Sequence, residues 1–246
     1  MIPSAYDLKE FYANRTGRIV RRLLRERMLS LWPDAKGMRV LVCGYGPPHV
    51  RPYQQEAERV ILQMPPRMGA HPWPPEGRNI VALSSSADLP IETNSIDRLI
   101  VVHGLEFAAN PADAFAEYWR VLKSNGRMIV ITPNRTGLWT RIDWTPFGYG
   151  MPFSASQLFT FLREQGFVIE QKRGALYVPP WGRGIFLSAA NFFERAGRLL
   201  YPAFGGLHVI EVGKQVYALT GRGEKSRTAR PAPIVAQAKP TARNSI

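Results

Sequence analysis

Two side chains in this sequence could act as a general base, His103 and Asp143. His103 directly follows a nearly continuous apolar run at 98–102, and a side chain at the end of such a strand should face a ligand cleft. Imidazole exchanges its proton near neutral pH, which makes His103 the first candidate base. An equally supported alternative is a structural role, in which His103 only forms a hydrogen bond to the turn. Asp143 is the only acid within a group of aromatic residues and is the second candidate.

A glycine-containing turn is the other feature that could bind a ligand. Val40-Leu41-Val42 is an apolar run, and the Gly44-Tyr45-Gly46 segment that follows is typical of a strand entering a tight turn. Ligands of parallel α/β sheets bind beyond the carboxyl ends of the strands, so the ligand site is predicted at this first turn. Pro47 and Pro48 come next and lack a backbone N–H, so two donors that could face a ligand are missing.

The elements that would position these residues alternate along the chain. Apolar runs at 40–42, 60–62, 79–83, 98–102, 128–131, 167–171 and 209–219 indicate seven strands. Helices are predicted at 6–31, from Asn110-Pro111 to Asn125-Gly126, and at 154–165. The alternation predicts an α/β fold with a Rossmann-like, doubly wound sheet of seven mostly parallel strands and helices on both faces.

Prolines should disturb both crossovers beside the first turn. Pro47, Pro48 and Pro52 leave room for only a shortened helix after the first strand. Five further prolines between 64 and 79 argue against a regular helix in the next crossover, where an ordered loop is predicted.

Two segments, 40–46 and 88–127, carry a family resemblance. The second contains Asp88-Leu89-Pro90, Ile96-Asp97, Leu105-Glu106 and Glu117-Tyr118-Trp119-Arg120-Val121-Leu122-Lys123 in the family's order and spacing. Together they resemble the type 11 branch of the class I S-adenosylmethionine (SAM) dependent methyltransferases, over roughly residues 1–221. The resemblance implies SAM as cofactor and a last strand that is antiparallel beside the fifth. Another Rossmann-like α/β protein is the alternative.

The resemblance also assigns a cofactor site, from which the family's acidic residues are absent. Val42 stands where the family has an acid before its first loop glycine, the ribose-binding acid matches Gln63 or Met64, and the acid near adenine matches Ser85. The implied site consists of Val42, Gly44, Tyr45, Gly46, Gln63, Met64, Ser85 and Ser86. Hydrogen bonds to a charged group contribute about 1.5–3 kcal/mol each, so their loss predicts weakened SAM binding.

Charge, cysteine and histidine content limit the other functions. The formal net charge is +13, and the Pro- and Ala-rich segment 222–246, with six basic residues and one acid, is predicted to be a disordered basic tail. A stripe of Arg15, Arg18, Arg22 and Arg25 on the first helix is interpreted as a solvated face, in preference to contact with nucleic acid or anionic lipid. The four histidines are scattered, so no metal site is expected. A single cysteine, Cys43, together with the absence of a predicted secretory signal or membrane span, favours a cytoplasmic protein.

Residues 1–221 are expected to form one domain, with a helix in 1–33 and insertions at 135–153 and 181–206. Aromatic residues of the first insertion suggest either a lipophilic acceptor or a second core; they are Trp139, Trp144, Phe147, Tyr149 and Phe153. The second insertion is apolar, and it is either core or a surface for a partner protein or, peripherally, a membrane. Two hypotheses follow: methyl transfer from SAM to a lipophilic small-molecule acceptor, or a catalytically silent methyltransferase fold that binds a partner protein or an anionic surface.

Overall fold

The computed structural model describes residues 2–180 and 189–215, and it confirms the predicted sheet. The seven strands are β1 Arg39–Gly44, β2 Arg59–Met64, β3 Val81–Leu83, β4 Ile96–Val102, β5 Leu122–Pro133, β6 Val168–Ala175 and β7 Leu207–Gly213. Their order in the sheet is β3-β2-β1-β4-β5-β7-β6, and β7 is antiparallel to both of its neighbours while the other pairs are parallel. The α/β, Rossmann-like, doubly wound fold class is therefore confirmed.

Helices cover both faces of the sheet and enclose two apolar cores. They are α1 Ala5–Ala13, α2 Arg15–Leu31, α3 Pro47–Gln54, α4 Pro111–Val121, α5 Ala155–Glu164 and α6 Ala190–Leu200. Val40 and Val42 of β1 contribute to the core that includes residues of α1, α2 and α3, whereas Leu41 and Cys43 contribute to the core with α4 and α5. Side chains of a strand alternate between the faces of the sheet, so β1 is buried on both sides.

The prediction of one continuous helix over 6–31 is wrong. Asn14 has an extended backbone, with φ −75° and ψ 173°, so it ends α1 and caps α2 by accepting the N–H of Gly17 at 2.8 Å. A Cβ on Gly17 would lie 1.9 Å from the carbonyl oxygen of Phe11, which shows how closely the two helices approach. The break turns α1 back, and Phe11 and Tyr12 at its end become core residues.

The helix that begins after Asn110 ends earlier than predicted. It stops at Val121, before the predicted end at Asn125-Gly126, and Leu122 is the buried first residue of β5. Lys214 explains the early end, because its ammonium group donates to the carbonyl oxygens of Trp119 at 2.7 Å and Leu122 at 2.6 Å. These carbonyls would otherwise lack a partner at the helix terminus.

Both proline-rich crossovers have the predicted form. α3 has 8 residues, with Pro47 and Pro48 at its first positions and Pro52 inside it, and the segment between β2 and β3 contains no helix. The predicted tail at 222–246, part of the second insertion (181–188) and the end of the seventh strand (from 216) lie outside the described residues. The single domain at 1–221 stays a prediction.

Candidate functional site

The carboxyl ends of β1, β2, β3 and β4 lie together at one edge of the sheet, where the glycine turn was predicted to bind a ligand. Gly44 has a φ of +94°, and a Cβ at this position would lie 2.0 Å from the carbonyl oxygen of Val102. A Cβ on Gly46 would lie 2.8 Å from side-chain atoms of Leu62 and Val42. Both glycines are therefore needed for close packing of β1 against its neighbours, and the space beside them is filled by protein atoms.

Five buried aromatic and imidazole side chains, here named the Tyr–His cluster, cover this turn: Tyr12, Tyr45, His49, His71 and His103. The Tyr12 hydroxyl shares hydrogen bonds with His103 Nε2 at 2.7 Å and with His49 Nε2 at 3.3 Å. The Tyr45 hydroxyl pairs with His71 Nε2 at 3.2 Å, and its ring stacks on that of Tyr12 at an interplanar angle of 13°. α1 thus places a side chain on top of the turn and closes it.

Burial favours the uncharged forms of two members of the cluster, Tyr12 and His49. It raises the pKa of Tyr12 well above the ordinary value, and the neighbouring Tyr45 and Glu106 raise it further. Burial lowers the pKa of His49 to about 3, with smaller contributions from His103 and Arg21. Removing a charge from water is costly when no partner compensates it, so the neutral forms of Tyr12 and His49 are favoured at neutral pH.

A cavity of about 370 Å³ opens beside the cluster at the ends of β2, β3 and β4, and we name it the strand-end cavity. Its walls include Ser85, Ser86 and Gly104, together with the apolar residues Met68, Leu105, Phe107 and Phe115. Among the described residues of its lining, Arg67 is the only charged one, and none is a carboxylate. The cavity can therefore accept a largely apolar group that is oriented by a few hydroxyl and backbone contacts.

Comparison with known proteins agrees with this architecture. A family model described as a methyltransferase domain, of the type 11 branch, matches residues 67–130. The fold of this chain is that of the class I SAM-dependent methyltransferases. No protein of curated function matches the chain.

Several solved methyltransferases share this fold. A SAM-dependent methyltransferase from Thermotoga maritima aligns with a TM-score of 0.59 and 18% identity, over 84% of this chain and 94% of its own. One from Mesorhizobium loti aligns with a TM-score of 0.55 and 14% identity, over 76% and 96%. A Haloferax volcanii methyltransferase, solved in complex with the Trm112 activator, aligns with a TM-score of 0.59 and 15% identity, over 85% and 98%.

SAM is the cofactor that the methyltransferase domain implies, and the described residues fit only one end of it. Ser85 and Ser86, assigned by the resemblance to the adenine end, line the strand-end cavity. The other six assigned residues do not line that cavity: Val42, Gly44, Tyr45, Gly46, Gln63 and Met64. The glycine turn lies under the Tyr–His cluster, so a ligand cannot contact it in this structure.

The positions of the missing acids are occupied by residues with other structural roles. Val42 and Met64 are fully buried in the core. The Gln63 amide donates to the carbonyl oxygen of Ser84 at 2.5 Å, and its oxygen accepts from the Ser86 hydroxyl at 3.3 Å. Gln63 therefore ties β2 to the loop after β3 and does not present a free polar group to a cofactor.

The two candidate bases are not brought together in this methyltransferase fold. His103 does not face an open cleft, because it is 1% exposed, bonded to Tyr12 and stacked on Phe147 with ring centroids 5.2 Å apart. Its Nδ1 lies 3.3 Å from a carboxylate oxygen of the equally buried Glu106. Asp143 is exposed and lines a separate cavity of about 330 Å³ next to Asp7. A catalytic role for either remains a prediction.

The aromatic residues after β5 divide between core and surface. Trp139 and Phe147 are buried core residues, and the Trp139 indole donates to the carbonyl oxygen of Val178 at 2.9 Å. Trp144 is 53% exposed, while Tyr149 and Phe153 are half-buried. Trp139 and Phe147 belong to the same core as α1, α2 and α3, so they form neither a separate second core nor an acceptor pocket.

Sequence reasoning missed Tyr12, His49 and Glu106 as residues of the site. Tyr12 and His103 are 91 positions apart, and no local pattern joins them. A local signal did exist for His49, which follows Gly46 by three residues and so belongs to the predicted ligand-binding turn. In the structure its backbone N–H donates to the carbonyl oxygen of Gly46. Its side chain was considered only as a metal ligand.

Acidification is expected to destabilise this fold through His49. The pKa of His49 falls from an ordinary value of 6.5 to about 3 on burial, so below pH 6.5 the unfolded chain binds a proton that the folded chain does not. The free energy of unfolding should decrease as the pH falls from 6.5 towards 3, by at most about 1.4 kcal/mol per pH unit. Urea unfolding at a series of pH values measures this slope.

The control for His49 is His49→Asn, which keeps a polar side chain and removes the titrating group. Its stability should depend less steeply on pH, with a residual slope from His208, whose pKa is also lowered by burial. An identical slope in the wild type and in His49→Asn would contradict the assignment.

Proposed function

We propose that this chain is a SAM-dependent methyltransferase with weakened SAM binding, which accepts the adenosine end of the cofactor in the strand-end cavity. The support is the contrast between the two halves of the site. Ser85 is exposed and lines an open cavity, whereas the glycine turn is covered by the Tyr–His cluster. SAM would be bound at only one of its ends and without a carboxylate partner, so its affinity for this chain should be low.

The proposed acceptor is a small lipophilic molecule. Support comes from the separate cavity of about 330 Å³ that Asp143 lines, where Phe11, Trp144 and Tyr149 present apolar groups. Such walls favour apolar ligands. Cys43 is a free, buried cysteine, which agrees with the cytoplasmic location that we propose.

Returning an acid to the accessible end of the site is expected to strengthen SAM binding. Ser85→Asp places a carboxylate on the wall of the strand-end cavity, and it should lower the dissociation constant about tenfold, which corresponds to about 1.4 kcal/mol. Ser85→Asn is the matched control, since it has the same shape without the charge and should bind like the wild type. Calorimetry with SAM and with its demethylated product measures both.

The proposal fails if neither ligand produces heat with the wild type or with Ser85→Asp at millimolar concentrations. That result would favour the second candidate, a catalytically silent methyltransferase fold that binds a partner protein or an anionic surface. A specific observation supports this candidate: Tyr12 reaches from α1 to within 2.7 Å of His103, so the chain itself closes the glycine turn.

A further inference from the structure

The second insertion contains an exposed apolar surface on α6 and the turn after it. Its five large side chains are 61–82% exposed, and we name them the apolar ridge: Phe192, Leu199, Leu200, Tyr201 and Phe204. The ridge is half of the ten large apolar side chains that are exposed among the described residues, although it occupies only 13 positions. Contiguous exposed apolar surface of this kind marks an interaction site.

α6 attaches to the domain by Ala190, Glu194, Gly197 and the partly buried Phe193, which leaves the five side chains of the ridge outside. Ala190 and Glu194 are buried, and a Cβ on Gly197 would lie 2.5 Å from the side chain of Tyr177. Glu194 accepts the backbone N–H of Tyr177 at 2.6 Å and lies 3.4 Å from the guanidinium group of Arg27. The ridge is therefore not excess core surface, because the helix is held by these other contacts.

A cationic pocket of about 440 Å³ borders the ridge. Arg27, Lys172, Arg173 and Arg198 line it, His208 contributes an imidazole, and none of the described residues of its lining is a carboxylate. Arg198, Pro202 and Ala203 of the ridge segment form part of its wall. Arg27 is paired with Glu194, so Lys172, Arg173 and Arg198 supply the positive charge that selects an anion, and arginine suits the oxygen atoms of a phosphate.

The arginine stripe of α2 continues the positive charge beside α6. Arg15, Arg18, Arg22 and Arg25 are all exposed, and Arg22 donates to the side-chain oxygen of Asn191 at the start of α6 at 3.1 Å. Glu26 is the only acid of α2 and is also exposed. The ridge therefore lies between a cationic pocket and a mostly cationic helix.

We propose that this face binds an anionic lipid membrane, with the ridge among the acyl chains and a headgroup phosphate in the cationic pocket. Leu199 and Leu200 favour lipid over nucleic acid, since burying aliphatic side chains requires an apolar environment that phosphates and sugars do not offer. Apolar side chains flanked by arginines are the pattern of interfacial helices, and the cytoplasmic leaflet carries negative charge. No described helix is long and apolar enough to span a bilayer, so the contact is peripheral.

Flotation of the full chain with two kinds of vesicle tests the proposal. The chain should float with vesicles of phosphatidylcholine and phosphatidylglycerol in equal parts, and much less with pure phosphatidylcholine. Leu199→Ser/Leu200→Ser should weaken binding to the anionic vesicles about tenfold or more. Leu83→Ser, at a leucine that is 57% exposed on β3, is the matched control and should bind like the wild type.

Charge substitutions test the pocket. Arg198→Gln should weaken binding to the anionic vesicles about fivefold, while Arg163→Gln on the exposed face of α5 should leave it unchanged. Because all variants keep residues 216–246, the basic tail cannot account for a difference between them. SAM calorimetry on the same variants should be unaffected, which separates this proposal from the proposed function.

Three results would overturn the proposal. Equal binding of the wild type and Leu199→Ser/Leu200→Ser would remove the ridge from the contact. Equal binding to neutral and anionic vesicles would remove the anionic selectivity. Thermal stabilisation by inorganic phosphate that is lost in Arg198→Gln, without flotation on any vesicle, would assign the pocket to a soluble anion.

Discussion

Val42→Asp is expected to lower the free energy of unfolding by about 3–5 kcal/mol and not to restore cofactor binding. Val42 is fully buried in the core with α1, α2 and α3. Its side chain packs closely against Gly46, where an added Cβ would lie 2.8 Å from it. A carboxylate there would lose its hydration without gaining a cation or a hydrogen-bond donor. The alternative is that the chain folds only when this carboxyl group is protonated. The position that holds an acid in the family has become part of this core.

Two variants control for volume and for charge. Val42→Thr has nearly the same shape as valine and should cost about 1–3 kcal/mol, because it buries one hydroxyl group. Ser85→Asp adds the same charge at an exposed position and should change stability by no more than about 0.5 kcal/mol. Urea unfolding followed by circular dichroism compares all three. A Val42→Asp chain with wild-type stability and tighter SAM binding would show that the side chain reaches a ligand.

The fold was predictable because its signals are local or belong to the family pattern. Apolar runs located all seven strands, and the resemblance supplied the antiparallel β7 beside β5. The break at Asn14 was not predictable from periodicity, since the apolar positions keep their helical spacing on both sides of it. The break is accompanied by a close approach of Gly17 to the backbone of Phe11. This contact between two helices is tertiary, so the helical period of the sequence does not indicate it.

The site was only partly predictable, for a related reason. A strand pattern indicates which edge of the sheet binds a ligand, but it does not show what fills the space above that edge. Gln63 matches the position of the family's ribose-binding acid, yet its amide is used to hold the loop at Ser84 and Ser86. His103 was expected at the cleft, and it lies at the right end of β4 but beneath Tyr12, which comes from the other end of the sequence.

Tyr12→Ala is expected to lower the free energy of unfolding by about 3–5 kcal/mol and to strengthen SAM binding by the folded chain. Tyr12 is 3% exposed, and removing its ring leaves a cavity between α1 and the glycine turn. The same cavity would expose the turn to a ligand, so the dissociation constant for SAM should fall about tenfold, or by about 1.4 kcal/mol. Loss of stability and gain of binding in one variant would distinguish an occluding side chain from an ordinary core residue.

Tyr12→Phe is the matched control, because it keeps the ring and removes only the hydroxyl. His103 Nε2 then loses its 2.7 Å partner, which should cost about 1–3 kcal/mol of stability without making room for a ligand. Urea unfolding gives both stabilities, and calorimetry at a temperature where each variant is folded gives the affinities. If the two variants bind SAM equally, Tyr12 does not close the cofactor site. If only Tyr12→Ala binds SAM more tightly than the wild type, the ring of Tyr12 is what closes the cofactor site.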